Sequence, residues 1–137
     1  MVGPRVFEIE QLNELLPQLE EVFLQMDKIQ SHLKQLTIRI NALEMIWGPQ
    51  VHEKDNQDHA ELQTHLMEMK ANEEAFETCT RKINEMGGQV KGVDPGLVDF
   101  YGVREGHLVF LCWRRGETVI EFWHHIDEGF DGRQPLA

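Results

Sequence analysis

The sequence predicts an α+β protein: a long antiparallel helical hairpin followed by a small antiparallel β-meander. Three observations lead there. Apolar residues between Leu12 and Trp47 recur in alternating steps of three and four, the spacing of a helical seam. Two glycines, Gly87 and Gly88, close the helical pattern, as glycines at helix C-termini do. Beyond them, short runs rich in Val, Leu, Phe and Trp alternate with the turns Arg104-Glu105-Gly106 and Arg114-Arg115-Gly116, the pattern of hairpin strands. At 137 residues the chain fits one domain, 1–137. Its parts are the hairpin (6–88), the meander (89–125) and a C-terminal cap (126–137).

The first helix carries the seam Leu12, Leu15, Leu19, Val22, Met26, Ile29, Leu33, Leu36, Ile40, Leu43 and Trp47. Leu16, Phe23, Ile38 and Ile46 widen it beyond a two-stranded contact. Pro17 removes a backbone donor, so a kink or a separate first turn (9–15) is expected there. Gly48 and Pro49 stop the helix. The second helix spans about 58–86, with Leu62, Leu66, Met69, Phe76 and Ile83 on its seam and Cys79 alongside. One hairpin does not cover so wide a stripe. Self-association is therefore expected, as a coiled-coil-like homodimer with a four-helix bundle.

In the meander, strands are expected at 97–103, 107–113 and 118–125, with a fourth at Gln89–Val93 after which Asp94-Pro95-Gly96 turns the chain. Two residues then a glycine read as a type I turn with a glycine bulge. That register sets Val103 opposite His107 and Trp113 opposite Glu117. Period two then places Val98, Phe100, Leu108, Phe110, Cys112, Thr118, Ile120, Phe122 and His124 on one face, packed on the helices. Asp99, Tyr101, His107, Trp113, Glu117, Glu121, Trp123 and His125 fall on the other.

The chain has 24 acidic and 13 basic residues, a net charge of −11. It has no basic stripe to displace counterions, so no nucleic acid is expected; nor is an anionic membrane surface. No segment reaches the ~20 apolar residues of a membrane span, and the start, MVGPRVFEIE, has no apolar run of the signal-peptide kind. The two cysteines lack CxxC spacing. A cytoplasmic protein with reduced thiols is expected.

No GxGxxG, P-loop or paired metal motif occurs, and Ser31 is the one serine, which argues against serine hydrolase chemistry. Two sites are then open. Asp99, Trp113, Glu117 and Trp123 share the mixed face and offer an aromatic and carboxylate surface for a ligand or partner. The alternative is that the GRQPL tail or a second subunit covers these tryptophans, with Arg133 paired to Glu117 or Asp99. His124 offers a ligand for a divalent transition metal, its partners coming from His59, Glu61 and His65 of the second helix, where Glu61 and His65 lie one turn apart. Cys112 is not expected to join it, at about 20 Å along the sheet by about 3.3 Å per residue.

The words VKGVDPGLVDF, LVFLCWRRGE and IEFWHHIDEGFDGRQPL, with the opening VFEIEQLNELLPQLEEV, resemble the prokaryotic domain-of-unknown-function 2203 family. The resemblance covers nearly the whole chain and is most specific from Lys91 to Leu136. It implies no established activity. It does draw attention to Asp94, Gly96, Asp99, Cys112, Trp113, Gly116, Glu117, Trp123, His124, Gly129 and Arg133, which lie in the shared words. Glu8, where the family usually has Thr or Ser, and Tyr101, where it often has Pro, depart from the pattern. The first functional expectation is a self-associating module that binds a partner or small ligand. The second is a metal-binding protein or metalloenzyme built on His124.

Overall fold

In a computed structural model the described residues are 5–137; residues 1–4, the start of the stretch read for a leader, lie outside them. The elements are helix α1 (Ile9–Trp47), helix α2 (His59–Glu85) and strands β1 (Gln89–Val93), β2 (Gly96–Arg104), β3 (His107–Arg114), β4 (Phe122–His124) and β5 (Gln134–Pro135). The strands form one antiparallel sheet in the order β1-β2-β3-β4-β5. The protein is α+β, as expected. The described residues divide into two compact units, 24–79 and 5–23 with 80–137. No described helix is long and apolar enough to cross a membrane.

Helix α1 is continuous for 39 residues through Pro17, so no separate first turn forms. Losing one backbone bond costs about 3 kcal/mol. Leu12, Leu16 and Leu19 on either side are buried, at about 1.5–3 kcal/mol each, and they outweigh it.

In the unit 24–79, Met26, Leu36, Ile40 and Leu43 of α1 are buried with Leu62 of α2. Ile40, Leu43, Val51 and Leu62 form one cluster, flanked by Trp47 and Met69. The inter-helix linker is therefore held by a buried Val51 rather than left free. The Trp47 indole N–H donates to Asp58 Oδ2 at 2.8 Å. Two details differ from expectation. Ile38 and Ile46 are 60% and 69% exposed, so they do not widen the packed stripe, whereas Leu16 and Phe23 do. On α2, His65 rather than Leu66 holds the buried seam position.

In the other unit, Gly87 ends α2 with a φ of 98°, a conformation glycine adopts without strain, and Gly87 and Gly88 donate back to Asn84 and Ile83. The first part of α1 receives one sheet face. Phe23 lies 5.5 Å from Trp113 between ring centroids, and Phe7 meets Phe100 edge-on at 5.4 Å. Asn13 Oδ1 accepts from the Ile120 amide at 2.7 Å, and Glu20 accepts from Arg115 and Gly116. The last of these explains why β4 is short. The Ile120 amide bonds to an α1 side chain instead of a neighbouring strand, and the strand expected from 118 begins at Phe122.

The β2–β3 register overturns the expected one. Arg104 pairs with His107 and Val103 with Leu108. Glu105 (φ 52°) and Gly106 (φ 80°) are both left-handed, which makes a two-residue turn of the type I′ kind. A slip of one residue exchanges the faces of β3. Trp113 now pairs with Val98 and Leu111 with Phe100, on the helix side. Cys112 pairs with Asp99 and Phe110 with Tyr101, on the opposite face. Phe110 and Cys112 in turn pair with His124 and Phe122 of β4.

A buried cluster of aspartate, cysteine and histidine

The sheet face turned away from α1 brings Asp99 (β2), Cys112 (β3) and His124 (β4) together. Their ligating atoms lie within 4.8 Å of one another, and all three residues are buried. Cys112 stands opposite Asp99 in the ladder, and on the next strand His124 lies two residues along from Phe122, the partner of Cys112. The separation of Cys112 and His124 expected from the sequence was wrong. The two residues lie on adjacent strands, diagonally across the β3–β4 ladder, where residue count along the chain does not measure distance.

His124 Nδ1 lies 2.8 Å from the His125 carbonyl oxygen. A carbonyl only accepts, so Nδ1 carries the proton and donates. The other ring nitrogen, Nε2, lies 3.0 Å from Asp99 Oδ2. In the neutral ring that nitrogen presents a lone pair, and it faces a carboxylate oxygen. The contact is attractive only with a cation in it, a proton or a metal. The Cys112 thiol donates to Asp99, and its pKa is pushed up to about 12, by burial first and by the Asp99 charge second. A thiol so placed is a poor nucleophile at neutral pH, which argues against a cysteine–histidine acyl-transfer site.

The segment after β4 lies over this face. A cavity of about 280 Å³ opens above Asp99 and Cys112, walled by Phe110, Ile126 and Phe130, with Lys91 and Glu128 at its edge. Arg133 Nη2 donates to both Glu117 oxygens, at 2.8 and 2.6 Å. Its guanidinium lies 4.0 Å from the Phe122 ring centroid and 4.7 Å from that of Phe130. A larger hollow, about 610 Å³ beside Glu8, Arg104 and Leu136, is lined by no histidine or cysteine.

The residues singled out in the sequence are thus redistributed. Glu117 and Arg133 pair as the covered-face alternative has it. Asp99 joins His124 and Cys112. Trp113 is fully buried on the helix side, its indole N–H donating to the Glu117 carbonyl at 3.0 Å. Trp123 pairs with Leu111, on the Trp113 side rather than with Asp99, and Arg104 lies 5.0 Å over its ring. The shared face of Asp99, Trp113, Glu117 and Trp123 does not exist. His59, Glu61 and His65 belong to the unit 24–79. There His59 Nδ1 contacts the Val51 carbonyl at 3.1 Å, and His65 Nε2 lies 3.7 Å from Glu61. The ligating neighbours that the structure gives His124 come from the sheet, Asp99 and Cys112. The signal for Cys112 lay in the glutamate-glycine turn, which sets the register.

No curated protein and no solved structure matches the chain. A model of an uncharacterized conserved protein family (DUF2203) matches residues 5–136. With nearly the whole chain inside that match, the protein belongs to this uncharacterized family.

Proposed function

We propose that the protein is a metal protein whose Asp99, Cys112 and His124 hold one divalent transition ion of the zinc type. One observation carries this: His124 Nε2 lies 3.0 Å from Asp99 Oδ2 and close to Cys112, with Nδ1 already spent on a backbone carbonyl. A histidine that ligates through one nitrogen and donates its other N–H to a carbonyl is the usual arrangement around a metal. In a tetrahedral zinc site the ligand atoms stand about 3.3–3.7 Å apart, so an ion needs the His124–Asp99 contact of 3.0 Å to open slightly and the widest separation, up to 4.8 Å, to close by about an ångström. Three protein ligands leave a fourth position for water or substrate, as catalytic rather than structural zinc sites do. The ion would displace the Cys112 proton, since a thiol that coordinates a metal is deprotonated.

The test is metal content by mass spectrometry on untagged protein, before and after incubation with zinc. About one equivalent per chain, lost in His124→Ala and in Cys112→Ser, is expected. An unchanged metal content in both variants would sink the reading.

A second observation favours self-association. Leu24, Ile38 and Met45 are spaced by multiples of seven on α1 and are 48%, 60% and 86% exposed. A stripe of that spacing suits a second copy of the chain. Sedimentation at micromolar concentration tests it: a dimer that Ile38→Glu with Met45→Glu makes monomeric supports it, and a monomeric native protein refutes it. Both cysteines are free thiols, which supports the expected reducing, cytoplasmic setting.

A further inference from the structure

The geometry points to a small monoanion with an apolar body, a carboxylate of the aryl or alkyl kind, as the ligand of the cavity above the cluster. Its charged end would lie between the metal and Lys91. The inference rests on the metal reading and extends it to a ligand class.

Size comes first. A cavity of about 280 Å³ is at the lower end of small-molecule sites, too small for a nucleotide or peptide. Its floor is polar, Asp99 and Cys112, and its walls are Phe110, Ile126 and Phe130. That pairing suits a ligand with one polar end.

Charge comes next. A divalent ion with the Asp99 carboxylate, the Cys112 thiolate and a neutral His124 makes an electrically neutral centre. The sign of the ligand is then set by the cavity's edge. Lys91 is the extra residue of a β-bulge: Gly92, not Lys91, pairs with Leu97. Bulges often adjoin functional sites, where they re-aim a side chain. The Lys91 ammonium lies 5.6 Å from the Phe110 ring centroid, on the cavity wall. It forms no ion pair among the described residues. The carboxylate at the same edge, Glu128, is turned to the backbone. Its Oε1 accepts from the His125 amide at 3.4 Å, and its Oε2 lies 2.7 Å from where a Cβ on Gly132 would stand. One uncommitted positive charge beside a neutral metal centre selects a monoanion over an amine.

The test uses the full chain loaded with cobalt(II), whose visible bands report changes at the metal, with benzoate, benzamide and benzylamine as probes. Benzoate is expected to shift the bands saturably, with benzamide and benzylamine weaker by about tenfold or more. Lys91→Ala is expected to weaken benzoate by about tenfold and Lys91→Arg to restore it, with cobalt stoichiometry unchanged in both. Full cobalt loading with no benzoate response, with benzamide binding as well as benzoate, or with Lys91→Ala indifferent, overturns the anion site and leaves the metal centre standing. A chain that takes up no cobalt overturns both.

Discussion

Asp99 and Cys112 stand directly opposite each other across the β2–β3 ladder, 3% and 1% exposed. Two side chains that can each carry negative charge share one buried site. Burial and the Asp99 charge together push the Cys112 thiol up to about 12. Left bare, such a pair is held together by protons. A divalent cation would replace them.

This makes the stability of the metal-free protein depend on alkaline pH. The Cys112 pKa rises from 9.0 to about 12 on folding, so between those values the folded chain keeps a proton that the unfolded chain releases. Stability from this group is therefore full below pH 9 and falls as pH rises toward about 12, by up to roughly 1.4 kcal/mol per pH unit. Urea melts at pH 8, 9.5 and 10.5 on native and Cys112→Ala protein check it. The fall should be shallower in the variant, and parallel curves would rule the thiol out as its source.

Metal should stabilise the fold by mass action. Zinc at a hundredfold excess over its dissociation constant adds about 2.7 kcal/mol. Thermal melts with and without zinc should show a rise in native protein that His124→Ala abolishes. Asp99→Asn is the finer test: it keeps the shape but removes the carboxylate charge, and should lose most of the rise.

How far the sequence leads depends on which physical signal sets each feature. The helical seam is written in side-chain spacing, and Leu12, Leu19, Met26, Leu36, Ile40 and Leu43 are buried as read. The sheet register is set by one turn. Arg104-Glu105-Gly106 fits either a three-residue bulged loop or a two-residue Glu105-Gly106 turn, and glutamate is a weak signal for the latter, where asparagine or aspartate is usual. The one-residue difference decides whether Cys112 sits with Val98 or with Asp99. His124 was thus identified and its sheet partners were not. The short β4 is also beyond reach of the sequence, because Asn13, about a hundred residues away, takes the Ile120 amide of its expected first half.

The same turn offers a gain in stability. Glu105 adopts a φ of 52°, a region where Asn is several-fold favoured, and Asn-Gly is the preferred pair for this turn. Glu105→Asn should stabilise the protein by about 0.5–1 kcal/mol, read as a higher urea midpoint with an unchanged slope. A loss of stability would mean that the Glu105 side chain makes a contact worth more than the turn strain.

Arg133 is the clasp over the site face. It holds Glu117 through two contacts, with side chains 11% and 18% exposed, and covers Phe122 and Phe130. Arg133→Ala leaves the Glu117 carboxylate with the Arg114 amide as its remaining donor, at 2.6 Å, and uncovers two rings, and should cost about 2 kcal/mol. Arg133→Lys should recover little, since lysine lacks the planar group that lies on the rings. The double variant Arg133→Ala/Glu117→Ala should lose less than the sum of the single ones. Strict additivity in that cycle would show that the pair itself contributes nothing.

His65 is the clearest place where stability is left unrealised. It is 7% exposed on the seam of α2, and both ring nitrogens are buried without a hydrogen-bond partner. Glu61 Oε1, one turn earlier, stops 3.7 Å from Nε2, beyond hydrogen-bond reach. An unmet buried polar atom costs about 1–3 kcal/mol, and the flanking seam positions Leu62 and Met69 are apolar. His65→Leu keeps the seam filled and removes both unmet atoms, so it should raise stability by about 1–2 kcal/mol. His65→Ala is the control. It removes the same nitrogens but leaves a cavity, and should be neutral or destabilising. If leucine destabilises the protein as much as alanine does, the imidazole has a partner in solution, and the seam is built around it rather than in spite of it.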